Sequence, residues 1–143
     1  MKPSFFLVLL LFTTSLGAQS YRDSLRTVWN DPSRADTSRL NAIDELSDYL
    51  TDTDPDSAIY YSNLQFDFAE VRGLKEYRAK AIENCAEVND EKGELSKAIE
   101  QFQEAHDLYE EVGKTREMAK TLRSIGLVYW TLGDYTVSID YYV

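Results

Sequence analysis

The chain has 143 residues and a net charge of −10, with 43% hydrophobic and 28% charged residues. That composition belongs to a globular chain, neither disordered nor collagen-like, and it holds about one domain. Six glycines and three prolines are too few for a sandwich with many tight turns. The acidity disfavours binding to a phosphate backbone, and the single cysteine excludes an internal disulfide or a multi-cysteine zinc site.

Residues 1–18 have the pattern of a cleavable export signal. Lys2 is followed by an unbroken apolar run of 8 residues, Phe5 to Phe12, and then by the small residues Ser15, Gly17 and Ala18. The run is shorter than the roughly 20 residues a membrane span needs. Cleavage after Gly17 or Ala18 leaves 14 basic against 25 acidic residues, a charge of −11. The mature protein is expected in a periplasm or outside the cell, with no direct membrane insertion. Cys85 is expected to be buried there as a small hydrophobe.

Residues 19–35 form a short helical lead-in, with Tyr21, Leu25, Val28 and Trp29 before a turn at Asp31-Pro32. Asp36 or Thr37 is placed to cap a helix through Leu50, with Leu40, Ile43, Leu46 and Leu50 inward. Asp54-Pro55 starts the next helix, to about Val71. Beyond it, Leu74, Tyr77, Ala81, Ile82, Cys85 and Val88 recur at helical steps until Gly93. Leu95, Ala98, Ile99, Phe102, Ala105, Leu108, Tyr109 and Val112 do so until Gly113, a left-handed helix end. Met118, Leu122, Ile125, Val128, Tyr129 and Leu132 form the next stripe, closed by Gly133. Asp134 caps a last helix through Val143.

The body repeats at 40 residues: Gly73 with Gly113, Gly93 with Gly133, Ala79 with Ala119, and Ala58, Ala98 and Ser138 in series. Three helix pairs are expected, at about 36–73, 74–113 and 114–143. One pair cannot bury its own stripe, so the pairs stack. Ala58, Ala86, Ala98, Ala105 and Gly126 allow close approach, and Gly126→Leu is expected to unfold the third unit. Tyr49, Phe102, Tyr129 and Tyr142 are expected in the core. The third pair stops mid-pattern. The expectation is that the chain continues in a longer protein, or else that the open C-terminal face self-associates.

Leu122, Ile125, Gly126, Tyr129, Gly133, Tyr135, Ser138 and Tyr142 resemble the tetratricopeptide repeat. Ile82, Cys85, Ala86, Gly93, Leu95, Ala98, Phe102 and Ala105 repeat the pattern, departing at Asn89 where a Tyr is expected. The first unit matches less well, with Tyr49 and Ala58. The resemblance implies an all-α, right-handed superhelical solenoid of antiparallel helix pairs. It also implies a non-catalytic scaffold that takes a peptide or protein segment in a concave groove lined by the first helix of each pair. Carried over by register, that groove holds Lys80, Glu83, Glu87, Asn89 and Asp90, then Lys120, Arg123, Leu127 and Trp130. Leu40, Ile43, Ser47 and Leu50 come from the first unit. Lys120 and Arg123 lack the asparagine that a terminal-carboxylate clamp requires, so that clamp is not inferred. The opening also resembles exported bacterial repeat proteins. That likeness implies the alternative of a periplasmic sensory region whose output module (histidine kinase, nucleotide cyclase or DNA-binding regulator) lies elsewhere.

No motif for catalysis or cofactor binding is found, and neither a cofactor nor a metal is expected. Asp52 to Asp56 has the opening spacing of a calcium loop, but Ser57 and Asn63 stand where Gly and Glu are required. His106 and Glu110 have no second histidine to complete a metal site. The acid pairs Asp44/Asp48 and Glu83/Glu87, each one turn apart, are expected to form exposed helix faces.

Overall fold

Four glycines frame the architecture. Gly73, Gly93, Gly113 and Gly133 all have positive φ, between 68° and 80°. Each ends a helix with the same pair of hydrogen bonds. At Gly73, for example, the Leu74 amide donates to the Ala69 carbonyl at 2.9 Å and the Gly73 amide donates to Glu70 at 3.0 Å. A side chain at these glycines would meet no neighbour within 4 Å, so backbone conformation alone selects glycine. We predict that Gly113→Ala costs about 1–2 kcal/mol, the price of a left-handed L-residue. A fall in the urea midpoint with unchanged helicity checks this; no shift would contradict it.

The computed structural model describes residues 19–142. The proposed export signal lies outside them. The described residues are helical, without strands: α1 over residues 19–30, then α2 (Asp36–Leu50), α3 (Pro55–Val71), α4 (Lys75–Glu91), α5 (Leu95–Glu111), α6 (Thr115–Thr131) and α7 (Tyr135–Asp140). From α3 to α7 a helix begins every 20 residues, and α3 to α6 are each 17 residues long. The 40-residue period is therefore two equal half-units.

Asp54 and Asp134 cap α3 and α7 by accepting from the amides of Ser57 and Val137, both at 3.2 Å. The start of α2 differs from expectation. Ala35 is its N-cap, without a side-chain hydrogen bond. Asp36 lies inside the first turn, where its carboxylate accepts from Arg72 at 2.6 Å. α7 ends at Asp140, with Tyr141 as its C-cap, short of the expected Val143.

Each helix packs chiefly on its chain neighbours, and α2 also touches α4 directly. This is a helical-repeat solenoid: burial is shared from one unit to the next. Ala86, Ala98, Phe102, Ile125 and Val128 form one apolar cluster joining α4, α5 and α6. Leu46, Leu50, Ala58 and Val88 join α2, α3 and α4, with Leu25 from α1 closing the near end. Ala58, Ala98 and Ala105 have no exposed surface, as close helix approach requires. Ser138 takes the third place in the alanine series, and its hydroxyl donates to the Gly126 carbonyl at 2.8 Å. Cys85 is buried, and desolvation raises its thiol pKa and keeps the thiol protonated.

Three apolar residues stand outside the core expected of them. Leu132 is 51% exposed, Tyr142 50% and Tyr49 39%. Tyr49 packs its ring on Tyr21 instead, 5.9 Å between centroids. Leu132 is the C-cap of α6, where the helix leaves its neighbour.

Candidate functional site

The first helices of the three pairs, α2, α4 and α6, together line a groove. Its larger cavity, about 770 Å³, takes Asn41 and Asp44 from α2, Tyr77, Lys80 and Glu83 from α4, and Arg116, Lys120 and Arg123 from α6. A smaller one, about 320 Å³, follows toward the helix C-termini. It is lined by Asp48, Asp52, Glu87, Asp90, Glu91, Ser124 and Leu127, with Phe102 beneath. Residue order runs the same way along all three helices, because each pair returns the chain to its starting side.

α4 explains the groove floor. It is wedged between α2, α3 and α5, so burial is continuous from Ala81 to Ala86. Glu83 and Asn84 lie in that stretch, each 1% exposed. A buried carboxylate needs hydrogen bonds and countercharge. The Tyr109 hydroxyl donates to Glu83 Oε2 at 2.9 Å. Lys120 Nζ lies 3.1 Å from Glu83 Oε1 and 3.0 Å from Glu87 Oε1, and Lys80 Nζ is 3.7 Å from Glu83. Asn84 Nδ2 donates to Asp44 Oδ1 at 2.7 Å. Burial and the adjacent Glu83 raise the Tyr109 pKa, so its hydroxyl stays a donor. Desolvation opposes the charge on Lys120, but Glu87 and Glu83 outweigh it and its pKa rises.

The residues placed by register divide into three groups. Lys80, Glu83, Lys120 and Arg123 line the larger cavity, and Glu87, Asp90 and Leu127 the smaller. Glu83 is a buried anchor rather than part of an exposed acid face. Trp130 lines neither cavity. It is 59% exposed and packs edge-on against Tyr135, 4.8 Å between centroids. Leu40, Ile43, Ser47 and Leu50 are at most 1% exposed and belong to the core, not to the groove. Ser47 donates to the Ala58 carbonyl at 2.9 Å. Asn89, also assigned to the groove, is 1% exposed and donates to Gln101 Oε1 at 2.5 Å. The face that α2 gives to the groove is Asn41, Asp44 and Asp48, one turn apart. A helical spacing of polar residues was the available signal.

Asp48 shows the electrostatics of the smaller cavity. Its side chain reaches solvent, yet the concave wall desolvates it and pushes its pKa from 3.8 to about 6. Lys80 and Lys120 pull the value down, while Asp44 and Glu87 push it up. Desolvation also raises Asp90 and Glu91, and Asp52 adds to the effect on Glu91. The folded chain therefore binds more protons at Asp48 than the unfolded chain between about pH 4 and 6. Its contribution to stability is greatest below pH 4 and falls as pH rises through 6. We predict that Asp48→Asn raises stability at pH 7 by about 1 kcal/mol, after allowance for solvent screening, and changes little at pH 4. Urea unfolding at the two pH values checks this; an equal gain at both would contradict the assignment.

Among the described residues, no three His, Cys, Asp or Glu side chains are arranged to hold a metal ion. None of the described helices is long and apolar enough to cross a membrane. Residues 77–143 match the family model of the tetratricopeptide repeat. This part of the chain carries tetratricopeptide repeats. The matched segment holds nearly all of α4 and the whole of α5 to α7, and the 20-residue helix spacing continues back into α3. No curated protein matches the chain. Tetratricopeptide repeats generally mediate protein–protein interaction and are typically non-catalytic scaffolds.

Proposed function

We propose that the chain is a non-catalytic interaction scaffold that receives a peptide or protein segment in the groove of α2, α4 and α6. The observation that carries this reading is the groove itself. It is about 770 Å³, is lined by side chains from three successive units, and lies in a family that mediates protein–protein interaction. Segments of this kind dock by burying a few anchors and satisfying polar groups at the rim. Lys80, Lys120 and Arg123 are the contact residues at one end of the groove, and Glu87 and Leu127 at the other. The export-signal pattern of residues 1–18 supports a partner outside the cytoplasm.

The test is selection of peptides from a random library displayed on phage, with the whole chain as bait. The selected peptides should lose binding to Arg123→Glu/Leu127→Glu and keep it to Glu100→Lys on the exposed face of α5. Equal binding to all three proteins would refute docking in the groove.

A further inference from the structure

We propose that the segment docked in this groove is cationic, seating a Lys or Arg side chain in the smaller cavity between α2, α4 and α6. The inference rests on the docking reading above and adds the chemistry of the partner. Asp48, Asp52, Glu87, Asp90 and Glu91 line that cavity, and none of its lining residues is basic. The last turns of α2, α4 and α6 also lack any basic residue. Helix C-termini there add partial negative charge to the carboxylates. The floor, by contrast, is apolar: Phe102 beneath and Leu127, 48% exposed, at the side. An acid rim over an apolar floor fits a long cationic side chain, whose methylenes pack while its head meets the carboxylates.

A second observation lies on the adjoining floor of the larger cavity. Glu83 is 1% exposed, and its Oε1 accepts no hydrogen bond. Among the described residues that oxygen is met by the Lys120 ammonium, as an ion pair at 3.1 Å. Lys120 is shared with Glu87 in the smaller cavity. Lys80 and Tyr109 meet the other Glu83 oxygen, so Oε1 is the acceptor that a donor arriving from a ligand would meet. The acids lie on α2, in the turn after it and on α4, and among the described residues no three are arranged to hold a metal ion. Desolvation holds Asp48, Asp90 and Glu91 above their ordinary pKa values, and a bound cation would relieve this.

The test measures fluorescence anisotropy of three labelled peptides of equal length with the whole chain: alternating Lys-Ala, alternating Glu-Ala, and Gly-Ser. The Lys-Ala peptide should bind most tightly, and more weakly as salt rises. Asp48→Asn/Glu91→Gln should weaken it roughly tenfold. Glu100→Gln/Glu104→Gln removes the same charge from the exposed face of α5 and should leave binding unchanged. Equal losses in the two variants would reduce the effect to net charge and overturn the proposal. Failure of the Lys-Ala peptide to bind would also overturn it. Tighter binding of the Glu-Ala or Gly-Ser peptide, abolished by Arg123→Glu/Leu127→Glu, would refute the cationic partner while leaving the docking groove intact.

Discussion

Phe102→Ala is expected to destabilise the chain by about 3–5 kcal/mol, the usual cost of removing a buried aromatic ring. Phe102 is 1% exposed and packs with Ala86, Ala98, Ile125 and Val128, bordered by Leu95, Ile99 and Tyr129. These neighbours come from α4, α5 and α6, so the ring joins the second helix pair to the third. In a stacked array, stability is a sum of units and of the contacts between them. Loss of this contact should lower the urea midpoint and also broaden the transition, as α6 and α7 melt ahead of the rest. The loss is a large share of the roughly 5–15 kcal/mol that holds a domain folded. A loss below about 1 kcal/mol would mean that Phe102 is not part of the joint.

Gly126→Leu has the second large effect, and a more local one than the sequence suggests. A Cβ at position 126 would lie 3.1 Å from Tyr142 Cε2 and 3.2 Å from Tyr141 Cβ. Both neighbours belong to the last turn of the described chain, after α7. Overpacking should cost about 1–3 kcal/mol, but α7 can yield by lifting away. Ser138, which donates to the Gly126 carbonyl, would lose its partner, and the Tyr129–Tyr141 stack, 5.7 Å between centroids, would open. The expected result is a changed near-ultraviolet circular dichroism signal with nearly full helicity. A collapse of helicity through α6 would show instead that the third unit depends on this contact as a whole.

The helices were legible because their ends are marked. Glycine at a left-handed position closes four of them, and Asp54-Pro55 and Asp134 open two. Apolar stripes located Phe102, Ile125 and Val128 correctly, since α5 and α6 each have one dominant buried side. α4 defeats that method. Nine of its 17 residues are buried, on more than one side. Glu83 therefore reads as half of an exposed acid pair, although it is a buried anchor. Its partners Tyr109 and Lys120 lie 26 and 37 residues away, and no local spacing announces them. α2 fails in the opposite sense. Leu40, Ile43, Ser47 and Leu50 form the stripe that meets the core, so the groove face had to be its polar complement, Asn41, Asp44 and Asp48. Asn89, in the tyrosine place of the repeat, keeps its burial by hydrogen bonding to Gln101, a polar solution that apolar patterning does not anticipate.

The buried Glu83 network bears on specificity more than on stability. Buried ion pairs roughly break even against apolar replacements of similar volume. Here the pair fixes α6 against α4 and holds Lys120 between the two cavities. Exposed ties between units, such as Lys75 to Glu111 at 2.6 Å and Lys92 to Asp56 at 3.1 Å, are screened by solvent and add little. Cohesion of the stack therefore rests on its apolar clusters, which leaves the charged groove available to a ligand.

Amide chemical-shift mapping of the isotopically labelled chain, titrated with the alternating Lys-Ala peptide, tests the central claim most directly. Saturable shifts should concentrate at Asp48, Glu87, Asp90, Glu91 and Leu127, along one side of α2, α4 and α6. Shifts centred on the exposed faces of α3 and α5, or spread evenly over every acidic residue, would contradict a partner held in the groove.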